Sequence, residues 1–430
     1  MKLSFFLDKQ NPNFQSEDLI AVYGSDTHKL EAVQSRVSDL ASRFRDYFPG
    51  VEENIRLFST PGRTEVSGNH TDHQQGRVLC AAVSLDVIAL VAPTDSQIIE
   101  LKSYGFARMD RVNVDILNPQ EDEEGESAAL IRGVAAGIKK RGGKVGGFTA
   151  YTTSNVPAGS GLSSSAAFEI LVGTILNELY NDGKFSMVEL AQIGQEAENQ
   201  FFGKPSGLMD QCGCAVGGFI SIDFEDQKNP IVEHLDVDFS KAGYELIITK
   251  TDGDHADLTD EYAAIPAEMK AIASFFEASV LREVDPNAFY EAIPELRTLH
   301  GDRAVLRAIH FFDENERVKT ASDALSNGAF DQFLDTINAS GDSSWTYLQN
   351  ITSSRAINSQ PLALALALSK NILKDEGACR VHGGGFAGTI QAFVPTSKVE
   401  AYVNEMARVF GKDNVMRLSI RPTQSCEIRF

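Results

Sequence analysis

Glycines, serines and a proline are concentrated in residues 156–166, directly before a segment whose apolar residues recur at helical spacing. A strand-like run at 147–153 leads into it, so the predicted order is strand, small-residue loop, helix. Gly159 and Gly161 let a backbone approach a ligand closely. Serine hydroxyls and the free N–H groups of a helix N-terminus both favour an anion. The segment predicts an anion site, although a serine-capped helix after a flexible turn has the same pattern.

Three charged residues in other parts of the chain could act on a bound anion. Glu198 lies near the end of a predicted helix and, with a serine hydroxyl, could hold Mg²⁺; a solvated helix charge is the alternative. Asp210 precedes an apolar run and could take a proton from a hydroxyl, or it could cap a loop. Arg63, in a predicted tight turn, could stabilise an alkoxide or a phosphoryl group in transfer.

Other polar and glycine-rich segments leave several interpretations open. Residues 70–73, His-Thr-Asp-His, could ligate zinc, bind hydroxyl groups or form a structural loop, and further zinc ligands are not apparent nearby. Residues 137–144 have the glycine spacing of a phosphate loop but lack its Lys-Ser/Thr ending, so that interpretation fails. The glycines at 383–385 and Gly388 indicate a backbone that crosses close to a ligand or to the small-residue loop at 156–166, called the serine loop below.

Composition and charge restrict the partners that we expect. The net charge of -21 argues against nucleic acid or an anionic membrane as a main partner. Five scattered cysteines favour reduced thiols over a disulfide framework. The chain shows neither a signal-peptide pattern nor an apolar run of about 20 residues. We therefore expect a cytoplasmic protein, a monomer or weak oligomer, with no nucleic-acid or membrane partner.

The predicted elements indicate an α+β protein of two lobes. The predicted domains are a helical extension at 1–50, an N-terminal lobe at 51–225, and a C-terminal lobe with a helical insert at 226–430. Strands are predicted at 78–92, 147–153, 215–224, 244–250, 389–394 and 415–420. Helices are predicted at 30–44, 127–140, from the serine loop to 179, at 185–202, over most of 260–350 with breaks near Pro286, Gly301 and Gly328, and at 362–374 and 397–410.

Residues 157–166, 203–211 and 377–388 together resemble, in order, three motifs of the GHMP kinase superfamily and, within it, of the galactokinase family. The resemblance implies a fold with a ribosomal-protein-S5-like N-terminal lobe, a ferredoxin-like C-terminal lobe and an active site between them. It also implies Mg²⁺-dependent transfer of the γ-phosphoryl group of ATP to the anomeric C1 hydroxyl of galactose. The expected products are galactose 1-phosphate and ADP.

The same resemblance implies roles for individual residues. Asp210 would be catalytic with Arg63 as its basic partner, and Ser165 and Glu198 would be the Mg²⁺ ligands. The implied sugar-binding residues are Asn69, His70, Asp72, Gly207 and Tyr262. The implied ATP-binding residues are Pro157, Gly159, Ser160, Gly161, Leu162, Ser163, Ser164, Ser165 and Ala166.

The galactokinase motif at residues 62–73, which precedes these three motifs in the chain, is matched only in part. Gly62, Arg63, Val66, Gly68, His70 and Asp72 agree with it, whereas Glu65, Ser67, Asn69 and His73 depart from it. Asn69 replaces a carboxylate that is expected to hold the hydroxyl at sugar carbon 6, so it removes a negative charge and adds donors. A kinase for a galactose derivative altered at carbon 6, such as a galacturonate-like sugar, is therefore an alternative.

Two further alternatives belong to other functional classes. A non-catalytic galactose and ATP sensor could have the same fold, but the retained Ser164, Ser165, Ala166 and Asp210 favour an enzyme. A kinase acting on an alcohol such as mevalonate is disfavoured by the Met-Asp-Gln sequence at 209–211.

Overall fold

The computed structural model describes residues 1–157, 159–204, 206–251 and 258–430. Ala158 and Pro205, which belong to two of the predicted motifs, lie outside the described residues. The strands are β1 Arg56–Ser67, β2 Arg77–Pro93, β3 Ile98–Ser103, β4 Asp110–Asn113, β5 Phe148–Ser154, β6 Phe219–Asp223, β7 Ile231–Leu235, β8 Tyr244–Lys250, β9 Ala378–His382, β10 Thr389–Pro395, β11 Val415–Leu418 and β12 Cys426–Ile428. The α-helices are α1 Leu3–Leu7, α2 Glu17–Tyr23, α3 Thr27–Tyr47, α4 Ser127–Lys140, α5 Ser164–Tyr180, α6 Met187–Ala197, α7 Met209–Val216, α8 Thr259–Phe275, α9 Pro286–His300, α10 Asp302–Ser326, α11 Phe330–Ser343, α12 Pro361–Leu373 and α13 Val399–Phe410.

The larger sheet has the order β12-β1-β2-β5-β3-β4, and β6 and β7 extend it from the first half of β2. The sheet is buried on both faces because β2 is apolar at successive positions. Val87, Ala89 and Val91 face a core shared with α4 to α7. Ile88 and Leu90 point to the opposite face, where they pack against the N-terminal helices α1 to α3. Successive strand residues alternate between faces, so one strand serves both cores.

The smaller sheet is antiparallel, with the order β11-β8-β10-β9. Ile247, Ile390 and Ala392 face α12 and α13, whereas Leu246 and Phe393 face the main core. Helices α8 to α10 form a third cluster around Phe289 and Phe311. These layers bring α10 and the loop after β9 against the end of β1. No helix in the described ranges is long and apolar enough to cross a membrane.

Several predicted elements are confirmed, and others differ for local reasons. The predicted helix 127–140 and strand 244–250 have the predicted bounds, and helices α8 to α11 are separated at the predicted breaks. Residues 61–63 are not a tight turn but part of β1, whose pairing with β2 shifts at that point. Such an irregularity accommodates a proline within a strand. Strands β1, β3, β4, β7 and β12 were not predicted.

The predicted strand 215–224 was wrong in its first half. Residues 215 and 216 end helix α7, and β6 begins only at Phe219. Gly217 and Gly218 have φ values of 82° and 61°, in the left-handed region that glycine adopts without strain. These two glycines end the helix and redirect the chain. The predicted helix 185–202 is also divided, because a π-helical turn at Glu198–Phe202 follows α6.

The strands of the larger sheet come from two of the three predicted domain segments, and the helices of the first segment pack against it. Helices α1 to α3 pack on one of its faces, and β7 and β12 belong to it although they lie within 226–430. The predicted domain boundaries at residues 50 and 225 therefore do not coincide with the limits of the larger sheet. The division into three domains stays a prediction.

Candidate active site

The serine loop joins β5 to α5, as predicted, and presents its residues in two ways. Gly159 and Gly161 are exposed, and Ser163, Ser164 and Ser165 are partly exposed at the start of α5. Ser163 has a φ of 56°, an uncommon backbone conformation for a residue other than glycine. The open N-terminus of a 17-residue helix favours an anion.

Other residues of the loop have buried side chains. Ser160, Leu162 and Ala166 are at most 1% exposed, and the Ser160 hydroxyl donates to the Pro157 carbonyl at 2.7 Å. These three positions can contribute backbone groups to a ligand, but their side chains hold the loop against the core. Pro157 itself is exposed.

Asp210 and Arg63, 147 residues apart in sequence, are in direct contact. The Arg63 Nε donates to Asp210 Oδ1 at 2.9 Å, and the Ser163 hydroxyl donates to Asp210 Oδ2. Arg63 also donates through Nη1 to the Gly161 carbonyl, so it joins the aspartate to the serine loop. The Arg63 side chain is 7% exposed, whereas that of Asp210 keeps 29% exposure.

The charge state of Asp210 follows from these contacts. Burial raises the pKa of a carboxyl group, but here the Arg63 guanidinium and the Ser163 hydroxyl outweigh it and hold the pKa of Asp210 below its ordinary value. Asp210 is therefore ionised at neutral pH, at the entrance of the serine loop.

Ser165 and Glu198, the two predicted metal ligands, lie together beneath the N-terminus of α5. The Ser165 hydroxyl donates to Glu198 Oε1 at 3.3 Å, and the Lys204 ammonium lies 2.8 Å from the same oxygen. Gln211 Nε2 donates to Glu198 Oε2 at 2.9 Å and to Glu169 Oε2 at 3.0 Å. One hydroxyl and one carboxylate form an oxygen donor set of the kind that Mg²⁺ accepts when it keeps water and phosphate oxygens.

The predicted sugar-binding residues gather beside Asp210. A Cβ atom at Gly207 would lie 2.7 Å from Asp72 Oδ2, so a larger residue there would displace the Asp72 carboxylate. His70 Nε2 lies 2.9 Å from the Gly384 carbonyl, which makes Nε2 the protonated nitrogen. The Tyr262 ring is 5.2 Å from that of His70. Burial lowers the pKa of His70 to about 3, so the imidazole is neutral.

Asn69 differs from these residues, because its side-chain amide is already hydrogen-bonded to other groups of the protein. Its Nδ2 donates to Glu65 Oε1 at 3.0 Å and to the Gly383 carbonyl at 2.8 Å. Its Oδ1 accepts from Asn350 Nδ2 at 2.7 Å, and the residue is 1% exposed. Asn69 thus ties β1 to the glycine loop after β9. The alternative of a sugar altered at carbon 6 rested on Asn69 and has no support in this arrangement.

Comparisons with known proteins agree with these motifs. A family model described as GHMP kinases N terminal domain matches residues 129–218, and a galactokinase galactose-binding signature matches residues 42–93. The chain is 32% identical over 361 residues to a galactokinase of Lactobacillus helveticus, covering 82% of this chain and 89% of that protein. A galactokinase of Glaesserella parasuis serovar 5 (strain SH0165) is 32% identical over 378 residues, covering 86% and 93%.

The chain belongs to the galactokinase family.

Solved structures support the fold of this galactokinase-family protein. The structure of Lactococcus lactis galactokinase complexed with galactose matches with a TM-score of 0.75 and 24% identity, covering 92% of this chain and 100% of that chain. The Methanococcus jannaschii mevalonate kinase matches with a TM-score of 0.60 and 14% identity, covering 85% and 98%. The prediction of a two-lobed GHMP kinase fold is confirmed.

Sequence reasoning missed the α10 residues of this galactokinase-family chain that hold the end of β1 and the loop after it. Glu314 Oε1 accepts from Ser67 Oγ at 3.0 Å and from the Gly68 N–H at 2.9 Å. His310 Nε2 lies 3.0 Å from the Asn69 carbonyl. Glu314 and His310 are four residues apart on one face of a helix. This spacing is common on any helix, and therefore it carried no signal for a site.

A buried ion pair was also missed, although one member had been noted as a departure from the family motif. Glu65 Oε1 lies 3.0 Å from Arg380 Nη2, and both residues are buried. Arg380 also donates to the Val66 carbonyl at 3.0 Å. The pair joins β1 to β9 beneath the glycine loop. The position of Arg380 at the start of the third motif was the available sequence signal.

Proposed function

We propose that the protein is a sugar kinase that transfers the γ-phosphoryl group of ATP to the C1 hydroxyl of galactose. Membership of the galactokinase family supports the sugar and the reaction class. The observation that carries the mechanism is the contact of Asp210 with both Arg63 and Ser163, at the open end of the serine loop. This contact puts an ionised carboxylate where a sugar hydroxyl and a nucleotide phosphate can meet.

Asp210 would orient the attacking hydroxyl and accept its proton. Its lowered pKa keeps it in the ionised form that accepts a hydrogen bond, and its partly exposed carboxylate leaves room for a substrate. Arg63 keeps Asp210 ionised and offsets negative charge that develops on the sugar oxygen. Phosphoryl transfer needs little covalent help from the protein, so positioning and electrostatics would provide most of the rate.

The serine loop would hold the phosphates of ATP. The hydroxyls of Ser163, Ser164 and Ser165 and the first N–H groups of α5 all lie at the same helix end. Anion binding there needs no lysine of the phosphate-loop type, because the donors are backbone groups and the helix dipole adds to them. The buried side chains of Leu162 and Ala166 would keep these donors in place.

Ser165 and Glu198 would hold Mg²⁺. When bound, Mg²⁺ neutralises phosphate oxygens and orients the group that is transferred. The Lys204 side chain is 55% exposed, and its ammonium lies beside Glu198, where it adds positive charge at the same end of the site. Gln211 fixes the second oxygen of Glu198 through its side-chain amide.

Galactose would lie between the loop after β1 and the first turn of α8. Asp72 and His70 offer acceptors for its hydroxyls, and Tyr262 offers a ring and a hydroxyl at the edge of the pocket. Gly207 leaves space beside Asp72. Asn69 would act through its neighbours, since its own hydrogen bonds go to Glu65, Gly383 and Asn350.

An assay of ADP release tests this proposal. Galactose, galacturonate, N-acetylgalactosamine and glucose are each supplied with ATP and Mg²⁺, and the phosphorylated position is determined by NMR. We expect galactose to give the highest turnover, with phosphate on C1. No ADP release with any of these sugars would contradict the proposal. A cytoplasmic location and a monomeric or weakly oligomeric state stay predictions.

A further inference from the structure

A cavity of about 460 Å³ lies beside the glycine loop. Phe386, at the end of that loop, is part of its wall, and the Phe386 N–H donates to the Asn350 carbonyl. Glu261 lines the cavity, whereas the next residue, Tyr262, contacts His70 in the candidate active site. The loop and the first turn of α8 thus separate two neighbouring spaces.

The charged groups of the cavity nearly balance. Arg303 Nε lies 3.0 Å from Glu268 Oε1, and Arg307 Nη1 lies 2.8 Å from Glu268 Oε2. The two guanidinium groups therefore share one carboxylate, and Glu261 supplies a second negative charge. Glu268 does not line the cavity, but with Glu268 counted the two guanidinium groups are matched by two carboxylates, so the cavity has no excess charge to select an anion.

One buried oxygen in the wall has no hydrogen-bond partner among the described residues. Glu261 Oε2 is enclosed and accepts no hydrogen bond from the residues described here, while Oε1 accepts from the Ser354 N–H at 2.9 Å. Arg307 is 1% exposed and donates through Nε to the Leu348 carbonyl and through Nη1 to Glu268. An enclosed carboxylate oxygen with no donor is costly unless a ligand or water supplies one.

Trp345 provides a partly buried aromatic surface in the same wall, which also includes Gln349. The side-chain amide of Gln360, another wall residue, is hydrogen-bonded to backbone groups of Ser353 and Ala356. Aromatic rings give a binding site a large apolar contact, and a few polar groups then orient the ligand. A pyranose sugar has an apolar face and a rim of hydroxyls that both donate and accept. Its size also suits a cavity of this volume.

We propose that this cavity is a second carbohydrate site, which binds an uncharged pyranose independently of the kinase reaction. The sugar ring lies on the indole of Trp345, one hydroxyl donates to Glu261 Oε2, and others accept from the Arg303 and Arg307 guanidinium groups. The site adjoins the Glu261–Tyr262 turn and the glycine loop, which separate it from the candidate active site.

Trp345 is the only tryptophan of the chain, so its fluorescence reports on this cavity directly. We would titrate the protein, without nucleotide, with galactose, glucose, N-acetylgalactosamine and inorganic phosphate. The expected result is a saturable change in tryptophan emission with at least one neutral sugar and none with phosphate. Isothermal titration calorimetry with the sugar that changes the emission should then show two binding sites per chain, one in this cavity and one in the candidate active site.

Variants separate the two spaces. Arg303→Gln and Glu261→Gln should each weaken the fluorescence response at least tenfold and leave kinase turnover unchanged. Asp72→Asn should weaken binding in the candidate active site and leave the fluorescence response in place. Arg297→Gln is a matched control, because its ion pair with Asp302 is exposed and lies outside this cavity.

Three outcomes would overturn the second site. The first is no change in emission with any sugar, together with a single calorimetric site. The second is a response that disappears in Asp72→Asn and persists in Arg303→Gln, which would assign the signal to the candidate active site. The third is a response to phosphate alone, which would identify an anion site. Each can occur whether or not the protein phosphorylates galactose.

Discussion

Two aspartates of this protein have arginine and serine partners, but only one of them can be reached from outside. Asp86 accepts from Arg36 Nη1 at 2.5 Å, from Ser59 Oγ at 2.6 Å and from the Tyr23 hydroxyl at 2.7 Å. Its side chain is 1% exposed. Asp210 also accepts from an arginine and a serine, but its side chain is 29% exposed.

The comparison shows that a lowered pKa does not by itself mark a functional aspartate. Arginine partners outweigh burial and lower the pKa of both Asp86 and Asp210. Around Asp86 the partners come from α2, α3 and β1, and all of them are protein groups, so the cluster attaches the N-terminal helices to the sheet. Around Asp210 the partners leave an open side that faces the serine loop. Solvent access and free acceptor capacity on the carboxylate therefore distinguish Asp210, a candidate functional residue, from Asp86, a structural one.

The largest expected effect is that of Asp210→Asn on turnover. The amide cannot accept a proton from the sugar hydroxyl, so we expect kcat to fall by about 10³-fold or more. Binding of ATP and galactose, measured by calorimetry, should change little because the shape of the side chain is kept. Turnover close to that of the unmodified protein would remove Asp210 from the mechanism.

Asp86→Asn should lower the stability of the protein and leave its turnover unchanged, which is the opposite of the result expected for Asp210→Asn. Arg421 Nη1 also lies 3.7 Å from Asp86 Oδ2. Removing the carboxylate leaves Arg36 and Arg421 without their partner, and we expect the free energy of unfolding to fall by about 4 kcal/mol. The measurement is chemical denaturation followed by circular dichroism. The kcat of the folded fraction should be unchanged. Loss of turnover without loss of stability would mean that the two aspartates do not differ as described.

A third prediction concerns Glu314, the buried carboxylate that accepts hydrogen bonds from Ser67 and Gly68 at the end of β1. Although burial raises its pKa, Arg317 and His310 outweigh burial and lower it to about 2. A lowered pKa in the folded state stabilises the protein above the pKa of the unfolded state, near 4.5, and the stabilisation disappears as the pH falls towards 2. We expect Glu314→Gln to lose about 3 kcal/mol at pH 7.

The pH dependence supplies the control for this prediction. The difference in unfolding free energy between the unmodified protein and Glu314→Gln should be constant above about pH 5 and should shrink steadily between about pH 4 and pH 2. A difference that stays the same down to pH 2 would show that Glu314 acts through packing and not through its charge.

The smallest expected effect is that of Asn69→Asp. The substitution puts a second carboxylate 3.0 Å from Glu65 Oε1 and removes the donor to the Gly383 carbonyl. We expect the KM for galactose to rise by about tenfold, or about 1.4 kcal/mol, with a smaller change in kcat, because the loop is displaced. Asn350→Ala, which removes the other partner of Asn69, should move KM in the same direction. A lower KM in Asn69→Asp would indicate that position 69 contacts the sugar.

Local sequence determined much of this protein. The serine loop, the helix after it and the glycine segment at 383–385 depend on neighbouring residues, since glycine allows close approach and serine supplies donors at a helix end. The three motifs in order were sufficient to predict the GHMP kinase fold. Helix breaks near Pro286, Gly301 and Gly328 follow from the backbone preferences of single residues, and they are where the helices divide.

Tertiary structure alone decided which of these residues meet. Ser67 and Glu314 are 247 positions apart, and Asn69 and Asn350 are 281 positions apart, so no local pattern connects them. The hydrogen bonds of Asn69 to Glu65, Gly383 and Asn350 set its role, and the exposed side of Asp210 distinguishes it from Asp86. Partners and solvent access depend on how the layers pack, because a side chain has the same chemistry in either place until folding assigns its neighbours.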